Sequence, residues 1–364
     1  MTATNLYSTT PLFNKTLKNR FVLAPLTRGR AGSERVPNQI MGDYYEQRAS
    51  AGLIITEATH ISKEAIGWID SPGIYNNKQV AGWKAVVDRV HAAQSTIMLQ
   101  LWHMGRASHS DFHDGDLPLS ASAIKIEGDQ IHTPYGKKDF EVPREMSIDD
   151  IKRTVADYKK AAENAKDAGF DGVEIHAANG YLINQFLDGE SNKRTDEYGG
   201  SIDNRLRFLK EIVSAIKEVF DAANIGVRIS PNGVYNSMGC DDYRELFSEL
   251  TRYLESEKIG VLHVMDGLAF GFHERGEPMT LGDFRSLFSG KIIGNCGYTF
   301  ESATSAVATK QADMIAFGRP YITNPDLPQR YKNDWPLTPF DDMSHWYGGG
   351  AEGYSDYPAF DNNH

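Results

Sequence analysis

Cysteine is nearly missing from this chain: Cys240 and Cys296 are the only two in 364 residues, and neither belongs to a C-x-x-C pair. That excludes a disulfide framework and a thiolate zinc site, and it points to a reducing compartment. Long apolar runs are missing as well. None approaches the roughly 18–20 residues of a membrane-spanning helix, and the amino-terminal MTATNLYSTTPLFNKTLKNRF lacks the apolar core of a secretory signal. A cytoplasmic protein is expected. Basic charge is in short supply, with 38 Lys and Arg against 49 Asp and Glu and a formal net charge of −11. Nucleic acid and anionic membrane are therefore excluded as expected partners, and a well-solvated surface accounts for the charge. Internal repeats, low-complexity tracts and inter-domain linkers are also lacking.

What the chain does have is a recurring alternation. Short apolar segments with strand character occupy 21–26, 53–58, 96–103, 172–177, 225–231, 260–266, 291–297 and 313–320. Helical patterns fill 38–50, 77–93, 147–168, 201–222, 242–257, 280–288, 299–309 and 325–331. Several open on a start signal, such as Ser147 with Asp150 three residues on, a capping-box pattern. Strands alternating with helices imply right-handed crossovers and a parallel sheet, and eight such units imply closure. The expected fold class is α/β, a (β/α)8 TIM barrel. An open doubly wound sheet is disfavoured because no G-x-G-x-x-G follows the first strand. Residues 11–20 are expected to form a short hairpin closing the barrel floor. The segment 105–145, after strand three, is rich in Gly, Pro, His and Asp and reads as a lid or capping subdomain. The whole of 1–364 is read as one domain.

In such a barrel the site lies at the carboxyl ends of the strands. The fourth end is the densest: GVEIHAANGY, 172–181, brings His176, Asn179 and Tyr181 to the point where strand gives way to loop. Two donors and a phenol there can polarise a carbonyl and hand over a proton. By themselves the same residues also fit a satisfied histidine, an asparagine turn and a core tyrosine. In strand five, Val227 and Ile229 share one face, so Arg228 and Ser230 share the other. With the valine face on the helices the guanidinium lies inside, where it needs a partner. Glu57 or Glu174 can supply it, and so can a cofactor that becomes anionic on reduction. Strands seven and eight end in Asn295-Cys296-Gly297 and Phe317-Gly318-Arg319. Loops in those places commonly cradle a phosphate, although tight turns and a surface arginine explain the same residues. A phosphate, an interior arginine and Gln100, which can pair with an imide edge, together suggest FMN, with Thr27 able to donate to a ring carbonyl. His109 and His113 lie in a loop-like context, and no metal site is expected. A flavin-free (β/α)8 protein binding a phosphorylated metabolite is the alternative.

At larger scale, APLTRGR (24–30), QRASAGLIITEA (47–58), QLWHMGR (100–106), the H-x-x-N-x-Y of 176–181, NKRTDEYGGSIDNR (192–205), FGRP (317–320) and YGGGAEGYSDYP (347–358) resemble the Old Yellow Enzyme family. The likeness runs from about residue 11 to residue 358 and is similar to the bacterial group of pentaerythritol tetranitrate reductase and related ene-reductases. The resemblance implies tightly bound, non-covalent FMN and a ping-pong cycle. NADPH or NADH reduces the flavin and leaves, and flavin N5 then passes hydride to an activated alkene, an α,β-unsaturated carbonyl or nitro compound. Nitrate esters and nitroaromatics are further oxidants in such a family. The resemblance places the substrate oxygen on His176 and Asn179 and makes Tyr181 the proton donor. It places Thr27 at flavin O4, Gln100 and Arg228 at the pyrimidine edge, and Pro25, Leu26 and Ala58 along the ring. Gly297, Gly318 and Arg319 fall at the phosphate, with Asn295 and Phe317 beside them. Trp68, Trp102, Phe270 and Tyr347 become aromatic walls, His103 a structural partner, and 192–205 part of the rim. Asn179 stands where one branch of the family has a second histidine, and both donate to the substrate oxygen. A monomer or homodimer is expected.

Overall fold

The computed structural model describes residues 5–267 and 275–361. Its centre is eight parallel strands: β1 (Phe21–Leu23), β2 (Leu53–Ile55), β3 (Thr96–Trp102), β4 (Gly172–His176), β5 (Ile225–Ile229), β6 (Val261–Met265), β7 (Lys291–Asn295) and β8 (Met314–Phe317). Each pairs with the next, and β8 returns to β1 with Phe317 opposite Leu23, so the sheet closes on itself. Around it lie α1 (Gln39–Gln47), α2 (Asn77–Ala92), α3 (Ile148–Asp167), α4 (Leu182–Leu187), α5 (Ile202–Lys217), α6 (Tyr243–Ser256), α7 (Leu281–Arg285), α8 (Phe300–Ala308), α9 (Arg319–Thr323) and α10 (Leu327–Asn333). This is the (β/α)8 barrel the alternation predicts. The capping box forms: Ser147 Oγ accepts from the Asp150 N–H at 3.1 Å, and the Asp150 carboxylate accepts from the Ser147 N–H at 2.8 Å. Helices α4 and α9 were not anticipated. They have six and five residues and cannot display a 3.6-residue period, and α4 is buried on every side. Among the described residues no helix is long and apolar enough to cross a membrane.

Strand phase sorts the core into two layers. Val173, Ile175, Val227, Ile229, Leu262 and Val264 face outward into the layer shared with the helices. Val22, Leu53, Ile55, Met98, Val261, Ile293 and Met314 point inward and fill the lower barrel. The antiparallel hairpin of Thr10–Leu12 with Lys15–Leu17 adds Leu12, Phe13 and Leu17 to that inner cluster and seals the floor. Each such side chain contributes about 1.5–3 kcal/mol by leaving water. Higher along the same inward phase the residues turn polar: Gln100, Glu174, Arg228, His263 and Asn295 are all buried. That switch from apolar to polar is what prepares a site at the carboxyl end.

Two segments cover this end. Between β3 and α3, the hairpin Gln130–Thr133 with Gly136–Asp139 and the short parallel pair Leu119–Ser120 with Arg144–Glu145 carry Ile126, Ile131 and Phe140 onto Trp102, Met104 and Tyr181. The C-terminal segment returns to the loop after β1, where arginines hold it. Arg28 donates to the carbonyls of Trp346 and Gly353, each at 2.7 Å, and Arg30 to that of Gly350 at 3.0 Å. Tyr354 stacks on Tyr44 at 4.3 Å between centroids, with Arg30 4.4 Å above Tyr354 and Arg48 3.7 Å beyond Tyr44. Arg194 of the 192–205 motif donates to the carbonyls of Ala121 and Met146, tying the rim to the insertion.

Candidate active site

His176 ends β4 on the inward phase and is 3% exposed. The Ala178 N–H donates to its Nδ1 at 3.3 Å, so the neutral ring carries its proton on Nε2. Burial, reinforced by Arg228 and His263, holds its pKa well below the ordinary 6.5 and keeps it a neutral donor. Asn179 has φ 58°, a left-handed conformation that asparagine tolerates. Its N–H donates to Ser230 Oγ at 2.9 Å, and its carbonyl accepts from Asn236 Nδ2 at 2.8 Å. At the next residue only glycine fits. Gly180 has φ +71°, and a Cβ there would stand 2.6 Å from Asn236 Cβ and 2.9 Å from the Tyr235 carbonyl. Tyr181 caps α4 and sets its ring edge-on to both His176, 4.9 Å away at 80°, and Trp102, 5.0 Å away at 84°. Burial, then the neighbouring Tyr235 and Tyr347, push its phenol well above the ordinary 10, so it stays protonated.

Beneath this group lies the polar interior. Gln100 Nε2 donates to Glu174 Oε2 at 2.6 Å, while Gln100 Oε1 is buried with no partner among the described residues. Arg228 donates to Asn295 Oδ1 at 2.7 Å, and Asn295 Nδ2 donates to the Ala316 carbonyl at 2.9 Å. Asn295 thus spends its amide holding Arg228. Of the two carboxylates the sequence offered for Arg228, Glu174 acts on it through space. Glu57 instead accepts the backbone N–H groups of Arg28 and Gly29 at 3.0 and 2.9 Å and shapes the β1 loop.

Around the rim, Pro25 and Ala58 are buried and Leu26 and Thr27 half-buried. A Cβ on Gly318 would come 3.1 Å from Leu26 Cδ2, so the β8 end lies directly against the β1 loop. Cys296 and Gly297 both have φ 84°, which turns the β7 loop sharply. Arg319 is half-buried with its guanidinium 5.3 Å over Trp346. The Phe317 side chain, expected beside the cofactor, turns away from the barrel interior. Its ring stacks on Phe21 at 5.5 Å and meets Tyr331 at 5.8 Å on the outward phase, leaving Ala316 as the inward residue. Trp68 packs edge-on to Tyr347 at 5.1 Å and against the cluster containing Trp102 and Tyr181. Phe270 lies outside the described residues. His103 accepts the Gly105 N–H at Nδ1, and its carbonyl accepts the Leu182 N–H, which fixes the start of α4. Among the described residues no group of His, Cys, Asp and Glu could hold a metal.

Three residues escaped the reading of the sequence. Tyr235 comes near Tyr181 from the loop after β5, beyond the strand ends. Arg106 is buried and donates to the carbonyls of Ile124, Asn236 and Ser237, locking that loop to the insertion. His263 lies inside by the same alternation that places Arg228 there, so its signal was present but unused. The donor set fits FMN. Buried Gln100 Oε1 and Arg228 Nε lack partners among the described residues, as an imide edge requires, and the β7 and β8 loops offer glycines and Arg319 to a phosphate.

The family model described as NADH:flavin oxidoreductase / NADH oxidase matches residues 6–338. The 12-oxophytodienoate reductase 1 of Oryza sativa subsp. japonica is 40% identical over 347 residues, spanning 94% of this chain and 90% of that protein. The solved structure of the old yellow enzyme homologue from Zymomonas mobilis matches with a TM-score of 0.94 at 42% identity, over 98% of this chain and 100% of that one. Morphinone reductase in complex with tetrahydroNAD matches with a TM-score of 0.92 at 41% identity, over 99% of both chains. The chain belongs to the NADH:flavin oxidoreductase / NADH oxidase family, the FMN-dependent, nicotinamide-driven ene-reductases of the Old Yellow Enzyme type.

Proposed function

We propose that the protein reduces the activated C=C bond of small α,β-unsaturated carbonyl or nitro compounds, with NADPH or NADH as reductant, in a ping-pong cycle. The observation that carries this is the edge-on meeting of a neutral His176 and a protonated Tyr181, with Asn179 in the loop between them, above a polar barrel interior. Bound FMN supplies hydride transfer from the nicotinamide to the substrate's β-carbon. Gln100 and Arg228 hold its pyrimidine edge, Thr27, Pro25, Leu26 and Ala58 its ring, and Gly297, Gly318 and Arg319 its phosphate. His176 and Asn179 bind the substrate oxygen and stabilise the charge that develops there. Tyr181 delivers the proton to the α-carbon. Trp68, Trp102 and Tyr347, joined by Tyr235, wall the pocket. The whole chain acts as one unit, its insertion covering the mouth. Relatives named as reductases of 12-oxophytodienoate and morphinone support a carbonyl-bearing substrate class. Nitroaromatics and nitrate esters present comparable oxygens to the same two donors.

An anaerobic titration tests the reading. NADPH is expected to bleach the flavin absorbance and 2-cyclohexenone to restore it. A colourless protein that FMN cannot reconstitute overturns it, and bleaching without recovery removes the alkene as oxidant. A pH dependence follows from the same two groups. His176, with its pKa depressed, gains charge only well below pH 6.5, and Tyr181, with its pKa raised, loses its proton only well above pH 10. The second-order rate constant for reoxidation by 2-cyclohexenone is therefore expected to be flat between about pH 7 and 9. A step inside that window would assign the titrating role to another group.

A further inference from the structure

Gln100 is held from one side. Its Nε2 meets Glu174 Oε2 at 2.6 Å, while the other Glu174 oxygen, Oε1, lies 2.7 Å from His263 Nδ1. All three side chains are 0% exposed. Strand register assembles them: Gln100 lies opposite Glu174 across β3 and β4, and His263 opposite Arg228 across β5 and β6. Burial keeps the His263 ring neutral, so it has one N–H to give, and the carboxylate takes it at Nδ1. A carboxylate only accepts, so the Gln100 amide must turn its NH2 toward Glu174 and its carbonyl away from it. Side-chain amides otherwise rotate about a broad terminal torsion and exchange donor for acceptor. Here that rotation would set two oxygens face to face at the 2.6 Å contact.

We propose that Glu174, oriented by His263, is a positioning residue that locks Gln100 as a hydrogen-bond acceptor, so that the barrel selects a ring edge bearing an imide N–H. This rests on the placement of the FMN pyrimidine edge at Gln100 given above. The lock makes the unpartnered Gln100 Oε1 a fixed receptor for the flavin N3–H. It also keeps a second donor from facing that proton.

The test is NMR of the holoenzyme carrying 15N-labelled FMN, which reads the shift and solvent exchange of the N3–H. In the unaltered protein the signal is expected to be sharp and shifted downfield. In Glu174→Gln, whose amide can meet Gln100 with either end, N3–H exchange is expected to rise roughly tenfold, the loss of one buried hydrogen bond. His263→Asn, which keeps a donor near the Nδ1 position, is expected to preserve the signal, and His263→Leu to lose it. If Glu174→Gln fails to retain FMN, the two His263 variants decide by the same readout. Unchanged N3–H shift and exchange in flavin-loaded Glu174→Gln and His263→Leu overturns the inference and leaves Glu174 as a core-filling residue. An N3–H that exchanges in the unaltered holoenzyme as fast as in free FMN overturns both the Gln100 placement and the lock, while the bound flavin still upholds the family.

Discussion

Replacing Tyr181 with Phe is expected to slow reoxidation of the reduced enzyme by 2-cyclohexenone by roughly 10²–10⁴-fold, the range a positioned general acid contributes. Bleaching by NADPH is expected to keep its rate, because that half-reaction needs no proton from Tyr181. The geometry supports a separable effect. The Tyr181 ring is gripped edge-on by His176 and Trp102, and Phe retains that ring and both contacts. Only the hydroxyl goes. Its pKa, held well above 10 by burial, makes it a weak acid in the ground state, so it retains its proton until negative charge has built up on the substrate. Rapid-mixing absorbance of each half-reaction decides the matter. If both fall together, the change lies in flavin binding or pocket shape, and Tyr181 is not the acid.

Arg48→Met is expected to cost about 3–5 kcal/mol, the range for breaking a buried, fully engaged charged group. Arg48 is fully buried, and its guanidinium donates to the carbonyls of Tyr44 at 2.9 Å, Tyr321 at 2.9 Å, Ile322 at 2.8 Å and Tyr354 at 3.4 Å. It joins α1, α9 and the C-terminal segment, and it forms the outer layer of the Arg48–Tyr44–Tyr354–Arg30 stack. Methionine keeps much of the volume but leaves those carbonyls without a donor. The melting temperature is expected to fall by roughly 4–7 °C for a chain of this size, with proteases cutting first in the segment that carries Tyr347. A melting temperature that moves by less than about 1 °C would show that water or neighbouring groups replace the guanidinium.

Much of this protein was legible because period and position are local properties. The eight apolar segments and the helices between them fall where the structure has β1–β8 and the longer helices, since alternation and capping are written within a few residues of one another. Once closure was inferred, the rule that sites lie at carboxyl strand ends led to His176, Asn179, Tyr181 and Gln100, and Val227 and Ile229 told which way Arg228 faces. The same local logic failed where both faces of a strand are apolar. Met314, Ile315, Ala316 and Phe317 give no polar contrast, and only the barrel's phase turns Phe317 outward onto Phe21. It failed also for α4 and α9, which at six and five residues span fewer than two helical turns.

Partnership was the tertiary structure's decision. The sequence offered Glu174 to Arg228, and Glu174 does act on it through space, but the fold gives its hydrogen bonds to Gln100 and His263 and gives Asn295 to Arg228. Arg28 and Arg30 lie beside Thr27 in the chain, but they act on carbonyls of residues 345–353, and Tyr235 reaches Tyr181 through a loop pinned by Arg106. A residue's type and strand phase determine what it can donate or accept and whether it faces inward. Which group stands opposite depends on how separate strands and loops are brought together, and no local period encodes that distance.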